Sequence, residues 1–369
     1  MDLRYKKLAQ TLCGHSTKIA AGEHVLLAAT QTPSEMLEAI VAEIGARGAF
    51  AHVEISDPRV NRALALAASD ERLAVEAACS LEKIKKMDAY IAIRGANNIF
   101  ENSDVPPQNM VKIAAAMKPA VDWRVNKTKW VVLRWPTPAM AQQAQMSTEA
   151  FEDFYFDVCT MDYDKMNEGM QAVRSLMEST DKVRITGPDT DLNFSIKGMP
   201  AIPCCGEYNI PDGEIYTAPV RDSVEGYVTY NAPTVYNGIS FDSIKLTFEK
   251  GKIVDAQAGA KTAALKKILS SDEGASYVGE FAMGCNPYVK RAMRDILFDE
   301  KIAGSFHFTP GNSYENADNG NRSRIHWDMV CIQTPEWGGG EIAFDGRVIR
   351  KDGLFVGEGI EKLNPQYLV

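Results

Sequence analysis

Four short apolar runs decide the fold of the first half: Glu23-His24-Val25-Leu26-Leu27-Ala28-Ala29, Ala49-Phe50-Ala51-His52-Val53-Glu54-Ile55, Asp88-Ala89-Tyr90-Ile91-Ala92-Ile93 and Trp130-Val131-Val132-Leu133. Each has the length and content of a buried strand. Helix-length patterns lie between them. Ser34 is placed to cap an amphipathic run from Glu35 to Ala46, which Gly48 ends. A second helical pattern spans Pro58 to Lys86, and a third runs from Val111 to Met117. Strands alternating with helices predict βαβ units and a parallel sheet of Rossmann-like or flavodoxin-like type.

The pattern continues through helical stretches at Ser147–Thr160 and Asp164–Ser179, then changes. From Lys182 onward, strands dominate. Examples are Val183–Thr186, Ser243–Phe248 and Glu341–Phe355, the last with Asp345-Gly346 and Asp352-Gly353 as tight turns. Helices are expected at Thr262–Leu269 and Pro287–Leu297. The sequence thus reads as an α/β domain over residues 1–180 and an α+β, strand-rich domain over 181–369. A chain of 369 residues is long enough for two domains at about 150 residues each.

Composition narrows the function. Forty basic against 49 acidic residues give a net charge of −9, with no basic run. Nucleic acids and anionic membranes require a positive footprint, so neither is an expected partner. No stretch approaches the roughly 18 continuous apolar residues of a membrane helix. The residues from Met1 to Leu12 lack the apolar core of a secretory signal. The seven scattered cysteines form no C-x-x-C and read as reduced packing residues. A cytoplasmic protein is expected.

Familiar cofactor motifs are missing. The residues after the first strand, Ala28 to Thr32, contain no glycine, so no dinucleotide fingerprint forms there. Walker A, G-x-S-x-G and H-E-x-x-H patterns are also absent. The chemistry therefore falls to the second half. His24 and His52, within the first-half strands, read as structural. His326 and Asp328 sit two apart in an alternating segment, Arg324 to Val330, so they share one face while Ile325, Trp327 and Met329 take the other. His307 lies in Ser305-Phe306-His307-Phe308-Thr309, and the Gly311 turn is placed to bring Tyr314 back beside it. Glu280 and Glu214 stand in apolar strand segments, where a carboxylate is costly unless paired or metal-bound. Singly, each reads as a salt bridge or a surface charge. Together, two Glu, one Asp and two neutral His make the oxygen and imidazole set of borderline divalent metals. Three converging carboxylates repel one another. Two divalent cations with a bridging hydroxide balance them, which favours two metals over one.

Four segments carry a resemblance to a known family. They are Glu214-Ile215-Tyr216-Thr217-Ala218-Pro219 with Val224-Glu225-Gly226; Asp272 to Glu280; Leu297-Phe298-Asp299-Glu300 with His307 and Tyr314; and Asn321-Arg322-Ser323 with His326-Trp327-Asp328. In order and spacing the chain resembles the M29 metallo-aminopeptidases, the group of aminopeptidase T, aminopeptidase S and PepS. The resemblance implies two divalent metal ions (zinc, cobalt, manganese or magnesium) held by Glu214, Glu280, His307, His326 and Asp328. It also implies that Glu280 bridges them, that Tyr314 stands beside them, that peptides with a free N-terminus are the substrates, and that the chain forms a homodimer.

The expected chemistry follows. Two metals share a water and acidify it, one metal polarises the scissile carbonyl, and the other holds the substrate amine. Tyr314 hydrogen-bonds the tetrahedral oxyanion, and Glu280 serves as the general base. Two alternatives stand beside this. A ring-cleaving dioxygenase of the same superfamily uses one iron with two His and one carboxylate, and is expected to carry His where this chain has Glu280. A metal-free binding scaffold is the other.

Overall fold

The computed structural model describes residues 2–236 and 238–369. Two compact units are present. One holds residues up to Thr160 together with Gly206–Ile210; the other holds Met161–Cys205 and Pro211–Val369.

In the first unit the four apolar runs form β1 (His24–Thr30), β2 (Phe50–Ser56), β3 (Ala89–Arg94) and β4 (Lys129–Arg134). Their order is β2-β1-β3-β4, followed by the short strand Asn209–Ile210, and every pairing is parallel. This is the flavodoxin-like order of a doubly wound sheet. Central β1 and β3 bury Val25, Leu27, Ala89 and Ile91 completely. The helix Ser34–Ala46 starts directly after Pro33, so Ser34 is its first residue and makes no cap. Gly48, at φ +74°, turns the chain into β2. The pattern predicted over 58–86 splits into Pro58–Leu66 and Asp70–Ile84. Each half has its own cap: Asp57 accepts from Arg59 and Val60, and Ser69 accepts from Arg72. The third helix extends well beyond Val111–Met117, to Pro107–Lys127.

In the second unit, helix Tyr163–Ser179 packs on strands Ile202–Cys204 and Glu214–Thr217, so it belongs with the residues that follow it. An eight-stranded sheet runs from Lys252–Gln257 at one edge to Leu354–Phe355 at the other. The two Asp-Gly pairs close its last hairpins with positive φ at both residues, the signature of type I′ turns. A five-stranded sheet carries the residues of interest. Its order is Val330–Ile332, Ser305–Pro310, Val278–Gly284, Glu214–Thr217, Ile202–Cys204, antiparallel throughout.

One predicted helix does not form. Residues 287–295 are a turn and irregular backbone, followed by the single helical turn Ile296–Asp299. Their backbone groups bond elsewhere. The Asn286 N–H donates to the Lys301 carbonyl, the Ala303 N–H donates to the Val289 carbonyl, and the Met293 N–H donates to the Asp299 carboxylate. Arg294 sits at φ +59°, outside helical geometry.

Candidate metal centre

The two longest strands of the five-stranded sheet explain how a polar centre is built in a buried place. Val278–Gly284 and Ser305–Pro310 are buried at every position. Alternation divides their side chains. Phe281, Phe306 and Phe308 fall on one face, where Phe281 and Phe308 pack against Phe194, and Phe308 against Phe248. Glu280, Ala282, Gly284, His307 and Thr309 fall on the other. In register, Ala282 is opposite both His307 and Tyr216, and Gly284 is opposite Glu214. Ala282 is small beside the imidazole of His307, and Gly284 admits the backbone of residues 300–302 over the strand.

His307 Nε2 lies 2.8 Å from Glu280 Oε1 and 3.3 Å from Glu214 Oε2. His326 Nε2 lies 3.2 Å from Asp328 Oδ1 and 3.7 Å from Glu280 Oε2. Five side chains from four separate stretches of sequence therefore converge. Their donor atoms form two overlapping groups, Glu214-Glu280-His307 and Glu280-His326-Asp328, each with its atoms within 4.8 Å of one another. Glu280 belongs to both.

His326 and Asp328 reach the centre differently from the expectation. Residues 324–329 form no regular strand; His326 makes a lone bridge with Gly311, and the strand proper is Val330–Ile332. Gly311 allows the close approach. It sits at φ +114°, and a Cβ there would lie 2.1 Å from the Ile325 carbonyl oxygen. The shared facing of His326 and Asp328 holds even so. Trp327 points away and stacks on Tyr236 at 4.4 Å. Tyr314 also differs from the expectation. Its ring contacts His326 at 4.7 Å and Tyr216 at 5.5 Å, so its partner is the second histidine and not His307.

Hydrogen bonds fix the donor atoms. His326 Nδ1 is 2.8 Å from the Asn312 carbonyl, which places a ring proton on Nδ1 and turns Nε2 toward the acids. The Thr309 hydroxyl donates to Asp328 at 2.7 Å. Glu214 Oε2 and Glu280 Oε2 are buried and lack a hydrogen-bond partner among the described residues. Unpaired buried carboxylate oxygens facing imidazoles are what a divalent cation satisfies. His307 Nδ1 is also unpartnered, and a cation at Nε2 does not supply it.

The electrostatics agree with the geometry. Burial disfavours charge on both imidazoles, but the carboxylates outweigh it. His307 is held up at about 9 by Glu214 and Glu280, and His326 at about 10 by Asp328 and Glu280. Burial raises Glu280; burial also opposes charge on Asp328, but His326, His307 and the Thr309 hydroxyl together pull it well below the carboxylate range. The cluster attracts cations, and in its metal-free form the cations are protons. Divalent metals must displace them.

Residues that the sequence reading passed over surround the centre. Lys301, 1% exposed, donates to Glu214 Oε1 at 2.8 Å and pairs with Glu300. Asp212 and Cys204 lie beside Glu214 as a further donor group. The Tyr216 hydroxyl donates to Asn316 at 2.9 Å. The signal for Lys301 was present as Asp299-Glu300-Lys301 immediately before a strand, but a run of charges ordinarily reads as a solvated turn.

Comparison with known proteins places the chain. It is 27% identical to aminopeptidase PepS of Streptococcus thermophilus, over 88% of this chain and 91% of that one. It is 34% identical to aminopeptidase T of Thermus thermophilus over a third of each. In fold it resembles the structure of AmpT from Thermus thermophilus, with a TM-score of 0.81 and 21% identity, covering 96% of this chain and 99% of that one. The 2,5-dihydroxypyridine dioxygenase of Pseudomonas putida shares the fold at a TM-score of 0.62 and 12% identity, covering 96% and 98%. Residues 1–347 match the family described as thermophilic metalloprotease (M29), and the chain belongs to that family.

Proposed function

We propose that this chain is a metal-dependent aminopeptidase with a two-cation centre. The observation that carries the reading is the shared position of Glu280, one buried carboxylate with an oxygen in each of two donor groups. Glu214 and His307 would hold one cation, His326 and Asp328 the other, and Glu280 would serve both. Divalent ions bound there supply polarisation of a carbonyl and acidification of a water.

The chain's own residues do the rest. Glu280 is the carboxylate assigned to take the proton of the attacking water and return it to the departing amine. Tyr314, held against His326, donates its hydroxyl to the oxyanion of the tetrahedral intermediate. Asn312 fixes the tautomer of His326, and Thr309 fixes the rotamer of Asp328. The peptide reading is supported by the family and by the aminopeptidase names of the relatives. A single-iron dioxygenase centre uses two histidines and one carboxylate, whereas here a second and a third carboxylate enter the same cluster.

We extend the proposal to a cytoplasmic homodimer. None of the seven cysteines is in a disulfide, and no helix among the described residues is long and apolar enough to cross a membrane. Sedimentation of the purified chain tests the dimer. The activity is tested with unblocked dipeptides and leucyl-arylamide. Chelation should abolish hydrolysis, and zinc, cobalt or manganese should restore it; N-acetylated peptides should not be cleaved. Iron-dependent oxygen uptake without peptide hydrolysis would refute the proposal.

A further inference from the structure

We propose that Lys301 is a positioning residue for one half of the metal centre: its ammonium holds Glu214 by Oε1, so that Glu214 presents only Oε2 to the cation beside His307. This rests on the two-cation reading above and adds to it a residue outside the donor set.

Lys301 is among the largest fully buried side chains of the described residues. A buried ammonium is costly unless it is paired and hydrogen-bonded. Here it is surrounded by carboxylates: 2.8 Å from Glu214 Oε1, 3.8 Å from Asp212 Oδ1, and in contact with Glu300. Lys301 and His307 meet different oxygens of Glu214. The division between the two oxygens is clear, because Oε1 is taken by Lys301 while Oε2 lies 3.3 Å from His307 Nε2 with no hydrogen bond.

The backbone under Lys301 is fixed as firmly as its side chain. The Lys301 carbonyl accepts from the Asn286 N–H at 2.9 Å, and the Lys301 N–H donates to Phe298 at 3.0 Å. Gly284, opposite Glu214 in the sheet, lets residues 300–302 lie directly on the strand. A Cβ there would sit 2.4 Å from the Ile302 carbonyl oxygen and 3.0 Å from that of Glu300. Lys301 thus presses its ammonium onto Glu214 from a rigid base.

Among the described residues the other half of the centre has no such cation. His326 is braced by Asn312 and Asp328 by Thr309, both uncharged. The two halves therefore differ in how their carboxylates are held. Lys301 also stands against the group Cys204-Asp212-Glu214, so an internal ammonium already serves those donors.

The test is a cobalt(II) titration of metal-free protein, followed by calorimetry and by the visible absorption of the bound ion. Wild type, Lys301→Met and the paired variant Lys301→Met with Glu300→Gln are compared. The pair removes one charge of each sign, so the buried charge stays balanced, whereas the single change leaves a buried carboxylate uncompensated. Glu214→Gln and Asp328→Asn identify which equivalent belongs to which half. Wild type should take two equivalents. In the paired variant, the equivalent weakened by Glu214→Gln should weaken about 10–100-fold, with an altered absorption band, while the Asp328 equivalent keeps its affinity. A general structural role would instead lower both equivalents together. Unchanged affinity at both, or equal loss at both, would overturn the assignment of Lys301. Fewer than two equivalents in wild type would refute the two-cation reading itself, and this inference with it.

Discussion

Two of the sheets, the parallel one and the antiparallel five-stranded one, treat polar side chains in opposite ways. In the parallel sheet, the central strands bury aliphatic residues and the histidines stay outside. His24 and His52 are paired with each other at 2.9 Å at an exposed position. In the five-stranded sheet, the two most buried strands carry Glu280 and His307 inward, 3% and 0% exposed. The first arrangement closes with its own side chains. The second leaves carboxylate oxygens without partners, the opening that the proposed cations would close. Buried polar groups left unsatisfied are a cost to folding, retained where they do chemistry.

The sharpest way to break this contrast is Glu280→Gln. Hydrolysis should fall about 10⁴-fold, since the change removes a proposed base and a shared metal donor at once. Its cobalt affinity should fall as well, since the shared donor is weakened. Wild-type cobalt affinity in the variant would take Glu280 out of the donor set. Tyr314→Phe is milder: kcat should drop about 10²–10³-fold with metal content unchanged. A kcat within a factor of a few of wild type would remove Tyr314 from the mechanism.

Phe308→Ala probes the other face of the same strand. Phe308 is fully buried against Phe194, Phe248 and Phe281, so truncation should cost about 3–5 kcal/mol in chemical denaturation. The smallest effect belongs to the parallel sheet. His52→Ala should shift stability by no more than about 0.5 kcal/mol and leave cobalt binding untouched. A loss of metal there would make that exposed pair part of the chemistry.

The legibility of the sequence follows the same division. The parallel sheet was readable because its strands are continuous apolar runs and its helices have regular period. The break at Ala67 to Ser69 was not, because two capped helices in tandem keep one amphipathic pattern across the gap. In the second unit, alternation correctly put His326 and Asp328 on one side, although the ladder expected there reduces to one bridge at Gly311. The helix expected at Pro287–Leu297 failed because its backbone groups bond to residues 299–303. Lys301 was hidden for a physical reason. Charge in sequence signals solvent, and only the fold shows that Glu214, Glu300 and Asp212 surround it. The convergence of Glu214, Glu280, His307, His326 and Asp328 came from family resemblance, not from periodicity, since no local pattern links residues so far apart in sequence.

The most direct measurement of the central claim is an anomalous-difference map from crystals grown with cobalt. The account predicts two peaks per chain, one among Glu214, Glu280 and His307 and one among Glu280, His326 and Asp328. A single peak held by both histidines, or no peak at these side chains, would contradict it.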